Sequence, residues 1–251
     1  MVTPVKGLRV SAREEVFVGP AGVVENRRFF LVDPGGAMIS GSRIGRLQRV
    51  VAEYSHAARE LAMRFPDGRT VAGTVELGES LVARFSSGTM PAHAVEGPWS
   101  AALSALAGMP LRLLESDLAE GAVDRGGDAT VSLVSRATLT RLAAEAGDER
   151  PVDGRRFRML FEIDGVDPHA EDGWLGRPLR LGEAVISLGG HTGRCVVTTR
   201  NPDDGVVDFD TLKLLARYRL AMATTEPLAC GVHGAVLTPG AVRVGDPVEL
   251  L

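Results

Sequence analysis

The chain has 251 residues, of which 45% are hydrophobic and 24% charged, and its formal net charge is −4. This composition is typical of a globular protein, and its acidic surplus disfavours a nucleic-acid partner, because nucleic-acid binders usually carry excess lysine and arginine. The apolar runs are far shorter than the roughly 20 residues that cross a bilayer, and the first residues lack the apolar core of a secretory signal. We therefore expect a cytoplasmic protein with no membrane span.

Residues 8–85 predict a succession of short strands separated by turns. The strand-like runs are EEVFVG, RRFFLVD, AMIS, RVVAEYS, LAMRF and RTVAGTVEL. Turn sequences close two of them, at Pro34-Gly35-Gly36 and at Pro66-Asp67-Gly68. Strands bounded by such turns every 8 to 15 residues or so indicate an antiparallel sheet that curls into a small barrel.

Three later segments have helical periodicity. The first covers residues 99–107, with apolar side chains on one face and Gly108 after its end. The second covers 137–146 and is followed by Gly147, a residue type that commonly ends helices. The third covers about 208–221, with Asp208 or Asp210 as its N-terminal cap.

The remaining apolar runs in the second half predict further strands. They are TVSLVS, RMLFEID, PLRLGEAVISLG, CVVTTR, GVHGAVLT and AVRVGDPVEL, and the last has the alternation and Gly-Asp turn of a hairpin. The expected fold is mainly β with a few helices, in two β-barrel-like units. We place the units at residues 1–95 and 96–251, with a strand from elsewhere in the chain allowed to rejoin the first.

The two cysteines are too few for a disulfide framework and form no CxxC pair. Cys195 follows Gly193 and Arg194, and His191 lies four residues earlier. A neighbouring cation lowers a thiol pKa, so Cys195 is a candidate metal ligand or nucleophile, and a packed structural thiol is an equal alternative. Cys230 has no neighbouring cation and leads into an apolar run, so we predict that it is a core residue.

Two charged segments carry weaker signals. An arginine-rich segment has the fork geometry that binds phosphate or carboxylate, but its interleaved acids favour a self-neutralised loop; its arginines are Arg150, Arg155, Arg156 and Arg158. Arg158 differs because it lies between Phe157 and Met159, where a charge requires a partner. The stretch HAEDGW lacks the spacing of a known metal motif, and no P-loop or dinucleotide-binding motif occurs in the chain.

A series of motifs occurs in an order that we recognise. They are TPVKG, NRRFFLVDPGG, DATVSLVSRATLTRL, RRFRMLFEIDG, AEDGWLGRPLRLGEA, GRCVVTTRNPDDG, LLARYR and GVHGAVLTPGAVRVGDPVEL. Together they cover nearly the whole chain. The chain resembles the MOSC-domain proteins with an N-terminal β-barrel domain, the family of the amidoxime-reducing components and of the C-terminal part of molybdenum cofactor sulfurase.

This resemblance implies an N-terminal β-barrel, a MOSC β-barrel domain and a pyranopterin molybdenum cofactor. It implies that Cys195 is the catalytic thiol and ligates molybdenum, which suits a soft thiolate. Cations must surround the cofactor phosphate, and Thr130 lies where the family offers hydroxyl and backbone contacts. With Arg194 beside the thiol, the predicted cofactor-binding residues are Lys6, Arg28, Thr130, Arg158 and Arg194.

The chain departs from the family pattern at two polar positions. Leu160 replaces the asparagine of the RFRPN motif, and Gly7 replaces the serine of PVKS. Each lost contact is worth on the order of 1 kcal/mol, which weakens but does not abolish cofactor binding.

The resemblance implies a molybdenum-dependent oxidoreductase that reduces N-hydroxylated or N-oxygenated small molecules. Because the chain has no flavin or iron–sulfur motif, electrons would come from a separate ferredoxin- or cytochrome-type reductase system. The departures favour an alternative, a cofactor-free sulfur carrier with a persulfide on Cys195, or a binding module.

Overall fold

The computed structural model describes residues 1–86, 88–117 and 129–251, and the fold is mainly β with a few helices, as expected. The strands of the first half are β1 (Glu15–Val18), β2 (Phe29–Val32), β3 (Met38–Ile39), β4 (Val51–Ser55), β5 (Glu60–Arg64), β6 (Thr70–Thr74), β7 (Glu76–Phe85), β8 (Gly88–Glu96) and β9 (Arg112–Ser116). Those of the second half are β10 (Val131–Ser135), β11 (Phe161–Ile163), β12 (Pro178–Leu181), β13 (Ala184–Gly193), β14 (Ala229–Thr238), β15 (Gly240–Arg243) and β16 (Val248–Leu250).

The α-helices lie where their periodicity predicted them. They are α1 (Trp99–Ala107), α2 (Arg136–Glu145) and α3 (Thr211–Arg219). Helix α1 ends at Gly108, whose φ of 68° is in the left-handed region that glycine adopts without strain. Helix α2 begins after Ser135, whose hydroxyl accepts from the Thr138 N–H. Helix α3 is shorter than expected and begins after Asp210.

The first unit has a five-stranded sheet in the order β3-β2-β9-β8-β7 and a three-stranded sheet in the order β4-β5-β6. An apolar core joins them, and Phe29, Leu61, Trp99 and Leu113 are among its buried members. Strand β9 follows α1 in the chain yet lies between β2 and β8 in the five-stranded sheet.

The second unit is a six-stranded sheet in the order β11-β10-β14-β13-β12-β16. Strands β10 and β11 pair in parallel, and the other neighbours are antiparallel. One face covers an apolar cluster around Leu133, Ile186 and Val232. Helices α2 and α3 cover another cluster that contains Leu142, Leu215 and other side chains.

Two strand-pairing expectations are wrong. Strand β1 does not join the sheets of the first unit but pairs antiparallel with β15, with Val16 opposite Val242. The expected C-terminal hairpin is also wrong, because β15 pairs with β1 whereas β16 pairs with β12. A turn does form, since the Asp246 carboxylate accepts from the Arg243 N–H, but the two strands then pair with different neighbours.

The N-terminal segment, residues 1–8, spans the junction of the two units. Val2 packs in the core of the second unit, whereas Val5 and Leu8 pack in the core of the first. Helix α1 and strand β9 pack on the first core, and the division at residues 95 and 96 remains a prediction. Among the described residues, the helices are too short or too polar to cross a bilayer.

Candidate functional site

Cys195 lies at the end of strand β13, where the chain turns into a short 3-10 helix, Val196–Thr199. The Cys195 carbonyl accepts hydrogen bonds from the Thr198 N–H (3.1 Å) and the Thr198 hydroxyl (3.0 Å). The expected strand CVVTTR is therefore wrong, because local bonds from threonine side chains satisfy carbonyls that a strand would offer to a neighbour. The Cys195 side chain is exposed at this turn.

Arg158 is a site cation that lies near Cys195. Burial lowers the pKa of Arg158 to about 10, and a negative charge on Cys195 opposes this shift. The guanidinium donates to the Leu8 carbonyl (2.7 Å), and Arg27 donates to the Arg158 carbonyl (2.6 Å). Arg158 thus has the partner that its charge requires, and both contacts come from residues of the first unit.

The backbone at Arg158 is in the left-handed region, with φ of 56°, and Arg194 holds the residues around it. The Arg194 guanidinium donates to the Phe157 carbonyl (3.0 Å) and to the Met159 sulfur (2.9 Å). It also donates to the Cys230 carbonyl (2.8 Å) and lies over the Phe157 ring. Arg194 therefore ties the Arg158 loop to strand β14, and its predicted contact with a cofactor remains a prediction.

Arg28 is buried in an ion-pair cluster that the sequence did not suggest. Its Nε donates to Glu115 Oε1 (2.6 Å), and Arg59 donates to Glu115 Oε2 (3.1 Å). Glu115 is only 2% exposed, so its charge requires these cations. The Arg28 Nη1 atom is buried without a hydrogen-bond partner among the described residues. Glu115 follows apolar residues in β9 and belongs to no motif, so the only signal was an isolated acid in a strand.

Lys6 and Thr130 have separate surroundings. The Lys6 N–H donates to the Phe29 carbonyl (2.8 Å), and its ammonium is 5.9 Å from the centroid of the Phe85 ring. The Thr130 hydroxyl is buried and has no partner among the described residues. Thr130 packs against Gly22, where an added Cβ would lie 2.8 Å from the Thr130 carbonyl oxygen.

The two departures from the family pattern have local structural reasons. Gly7 has φ of 98°, and a Cβ there would lie 3.0 Å from the Gly41 nitrogen and from the Ser40 Cα. A serine side chain would therefore be strained at this position. Leu160 is 4% exposed and packs in the core of the second unit, so it replaces a polar group with an apolar contact.

The other charged segments have ion-pair partners. Three arginines of the basic loop pair with acids: Arg150 with Asp148, Arg155 with Asp153 and Asp203, and Arg156 with Asp208. Acids within the loop neutralise Arg150 and Arg155 as predicted, whereas the partner of Arg156 comes from a distant segment. Asp172 of the HAEDGW stretch pairs with buried Arg219 (2.6 Å). Within the described parts of the chain, no group of three or more His, Cys, Asp or Glu residues is arranged to hold a metal ion.

The residues at the junction fit a pyranopterin molybdenum cofactor in their donor chemistry. Cys195 offers one exposed thiol near an arginine, and a soft thiolate is a suitable molybdenum ligand. The Thr130 hydroxyl is buried and satisfied by no described residue, and such an atom requires a partner, whereas the Arg28 guanidinium already faces Glu115 and the Tyr54 side chain. Arg158 donates to the Leu8 carbonyl, and Arg194 is occupied by the carbonyl groups of Phe157 and Cys230.

Comparison with known proteins shows the class of this protein. The sequence pattern of the MOSC domain matches residues 119–249. The match covers more than half of the chain, so the chain belongs to the MOSC domain family.

Curated relatives match part of the chain. Mitochondrial amidoxime-reducing component 1 of Mus musculus is 35% identical over 131 residues, which cover 49% of this chain and 37% of that protein. The human protein of the same name is 32% identical over 125 residues, 47% of this chain and 36% of that protein. Molybdenum cofactor sulfurase of Oryza sativa subsp. japonica is 38% identical over 85 residues, 32% of this chain and 10% of that protein. The chain therefore spans little more than a third of the amidoxime-reducing components that it matches.

A solved structure, YiiM from Escherichia coli, is 22% identical with a TM-score of 0.36, and the match covers 50% of this chain and 56% of YiiM.

Proposed function

We propose that the chain binds a pyranopterin molybdenum cofactor through Cys195 and reduces N-hydroxylated or N-oxygenated small molecules. The observation that carries this proposal is the exposed Cys195 thiol, coupled to the Arg158 charge at the junction of the two units. Membership of the MOSC family and the names of the amidoxime-reducing relatives support it.

Each residue has a distinct part in this proposal. Cys195 would hold the metal as a thiolate ligand, with the Arg158 guanidinium nearby. The unsatisfied Thr130 hydroxyl would donate to a polar group of the cofactor, and Arg28 and Lys6 would add positive charge for its phosphate. When bound, the cofactor supplies the two-electron redox chemistry.

Arg194 acts as a positioning residue in this scheme. Its donors are bonded to the carbonyls of Phe157 and Cys230, so it holds the loop that carries Arg158. A separate ferredoxin- or cytochrome-type reductase system supplies electrons, and the substrate is a small molecule. Both partners belong to the proposal and rest on the family resemblance.

Metal and pterin analysis of the purified chain tests the proposal. The chain is expressed in a host that makes the cofactor, together with Cys195→Ala and, as a matched control, Cys230→Ala. We expect molybdenum and pterin in the unaltered chain and in Cys230→Ala, and loss of molybdenum from Cys195→Ala. A clean absence of molybdenum and pterin from the unaltered chain would exclude this function.

A second function, a persulfide carrier without cofactor, is favoured by the packing of Leu160 in the core and by the absence of a hydroxyl at Gly7. In this case the Cys195 thiol carries an extra sulfur atom. Intact-protein mass spectrometry would then find a mass increase of one sulfur that a reductant removes and that Cys195→Ser lacks. If the increase is found in Cys195→Ser, Cys195 is not the carrier.

A further inference from the structure

A groove of about 340 Å³ lies at the junction of the two units, on the side of the first unit that carries Arg9, Arg49 and Arg64. This volume is in the range of small-molecule sites. Arg49 is the last residue of a short 3-10 helix, Gly45–Arg49, and Arg64 is the last residue of strand β5. Three cations from separate segments therefore line one concave surface.

Two of these cations are uncompensated. Among the described residues, neither Arg49 nor Arg64 has an ion pair or a side-chain hydrogen bond, and both are exposed. Arg9 is different, because its Nε donates to the Gln48 carbonyl (3.1 Å) and its Nη1 lies 3.4 Å from Asp203. Like charges on one surface repel each other, and an anion between them would be attracted to both.

The groove also has an acidic side, where Asp203 is paired with arginine. Asp203 accepts two hydrogen bonds from Arg155 (2.8 and 2.9 Å), and these hydrogen bonds hold its pKa below the usual range. The Asp204 carboxylate accepts from the Val206 N–H. The lining itself has three arginines and two aspartates, so the groove carries a small net positive charge although the whole chain is net negative.

Between the charged groups the lining is apolar. Val51 and Pro66 supply the accessible part of the wall, whereas Phe65 is buried beneath it with the Arg69 guanidinium over its ring and anchors the wall to the rigid core. Apolar walls with a few convergent charged groups are characteristic of sites for small organic ligands. A free inorganic anion would use the arginines but not this wall.

We propose that this groove binds a small aromatic carboxylate, with Arg49 and Arg64 as the anion-binding residues and the apolar wall as the ring-binding surface. The guanidinium fork matches a carboxylate, which explains why arginines rather than a single charge line the groove. The site is separate from the cofactor residues and does not depend on the proposed function. Asp203 and Asp204, on the acidic side of the groove, belong to the segment that follows the 3-10 helix Val196–Thr199. A ligand in the groove would therefore contact that segment.

Titration of the full chain with benzoate tests the proposal, with heat or backbone amide shifts as the readout. Inorganic phosphate is the probe that lacks a ring, and benzyl alcohol is the probe that lacks a charge. We expect saturable benzoate binding that is at least about tenfold tighter than binding of either probe, and that weakens as salt is added.

The variant Arg49→Gln/Arg64→Gln should weaken benzoate binding at least about tenfold, because it removes both free cations. Arg177→Gln, which alters an exposed arginine of the second unit with no side-chain partner among the described residues, is the matched control and should bind benzoate as the unaltered chain does. Arg49→Lys retains the charge without the fork and should bind with intermediate affinity. Circular dichroism checks that each variant is folded.

Three outcomes would overturn the proposal. One is the absence of saturable benzoate binding up to about 10 mM, below which a specific site of this kind should be occupied. Another is binding that the double variant and Arg177→Gln reduce equally, which would show a general charge effect. The third is benzyl alcohol binding as tightly as benzoate, which would make the groove an apolar site.

Discussion

The two cysteines have opposite surroundings, although Arg194 precedes Cys195 in the sequence and donates to the Cys230 carbonyl. Cys195 is exposed at the turn after β13, and Arg158 is its electrostatic neighbour. Cys230 is fully buried in the core under α2 and α3, and burial raises the pKa of its thiol to about 12. Arginines lie near both thiols, so the two side chains differ in chemistry because one is exposed to water and the other is buried. The sequence-based prediction that Cys230 is a core residue is confirmed.

The largest expected difference between the two thiols is in their reactivity. At neutral pH an uncharged thiol reagent should modify Cys195 at least about a hundredfold faster than Cys230. The reason is that Cys195 is exposed to the reagent, whereas Cys230 is buried and its raised pKa disfavours the reactive thiolate. Peptide mapping after timed labelling measures both rates. In denaturant the two rates should converge, and Cys195→Ser should leave only the slow reaction. Equal native rates would contradict the comparison.

Arg194 provides a test of whether the Arg158 loop is held to the backbone at Cys230. Arg194→Ala removes donors from the carbonyls of Phe157 and Cys230 and should lower the free energy of unfolding by about 2–4 kcal/mol. Urea denaturation measures this change. Arg177→Ala, at an exposed arginine, should change it by no more than about 0.5 kcal/mol. If the two substitutions have the same small effect, Arg194 does not hold the Arg158 loop.

Acid should lower the stability of the region around Cys230, because unfolding allows His169 to take up a proton. Burial lowers the pKa of His169 to about 4 from its ordinary 6.5, and its ring contacts the Tyr218 hydroxyl (3.2 Å). Because the folded pKa is the lower one, this contribution to stability is fully present above pH 6.5 and is lost as pH falls towards 4. The slope stays below about 1.4 kcal/mol per pH unit, since partial exposure of the ring screens the effect.

Urea denaturation as a function of pH measures this slope. His169→Asn should reduce it, and asparagine suits the backbone φ of 62° at this position. His56→Asn, at an exposed histidine, is the matched control and should leave the slope unchanged. An unchanged slope in His169→Asn would place the acid sensitivity elsewhere.

The smallest expected effect concerns the stability contribution of each thiol. Cys230→Ala leaves a small cavity and should lower the free energy of unfolding by about 1 kcal/mol, whereas Cys195→Ala should change it by less than about 0.5 kcal/mol. Thermal or urea unfolding of both variants measures the difference. A larger loss for Cys195→Ala would show that its side chain packs in the folded state.

Most of the secondary structure was predictable because its signals are local. Helix α1 ends where Gly108 provides a left-handed residue, and β2 ends at the Pro34-Gly35-Gly36 turn. The segment after Cys195 was mispredicted for a related reason. Its β-branched residues favour a strand, but the Thr198 and Thr199 hydroxyls satisfy nearby carbonyls and stabilise a 3-10 helix.

The partners of the charged site residues were not predictable. Glu115 is 87 positions from Arg28, and no motif links them. Arg194 is adjacent to Cys195 in the sequence, which suggested a contact with the same ligand, but its guanidinium extends to the carbonyls of Phe157 and Cys230. Side-chain direction depends on which acceptors the fold leaves unsatisfied, and adjacent residues do not share them.

By itself the sequence determined the mainly β class, the positions of the helices, the core assignment of Cys230 and the MOSC family. These follow from periodicity, turn residues and ordered motifs, which neighbouring residues encode. Only the tertiary structure decided that β1 pairs with β15, and that Arg158 lies near Cys195 under contacts from Leu8 and Arg27. The β1–β15 pairing and the Leu8 and Arg27 contacts join segments more than a hundred residues apart. They form because a buried charge or an open strand edge requires a partner that only the complete fold provides.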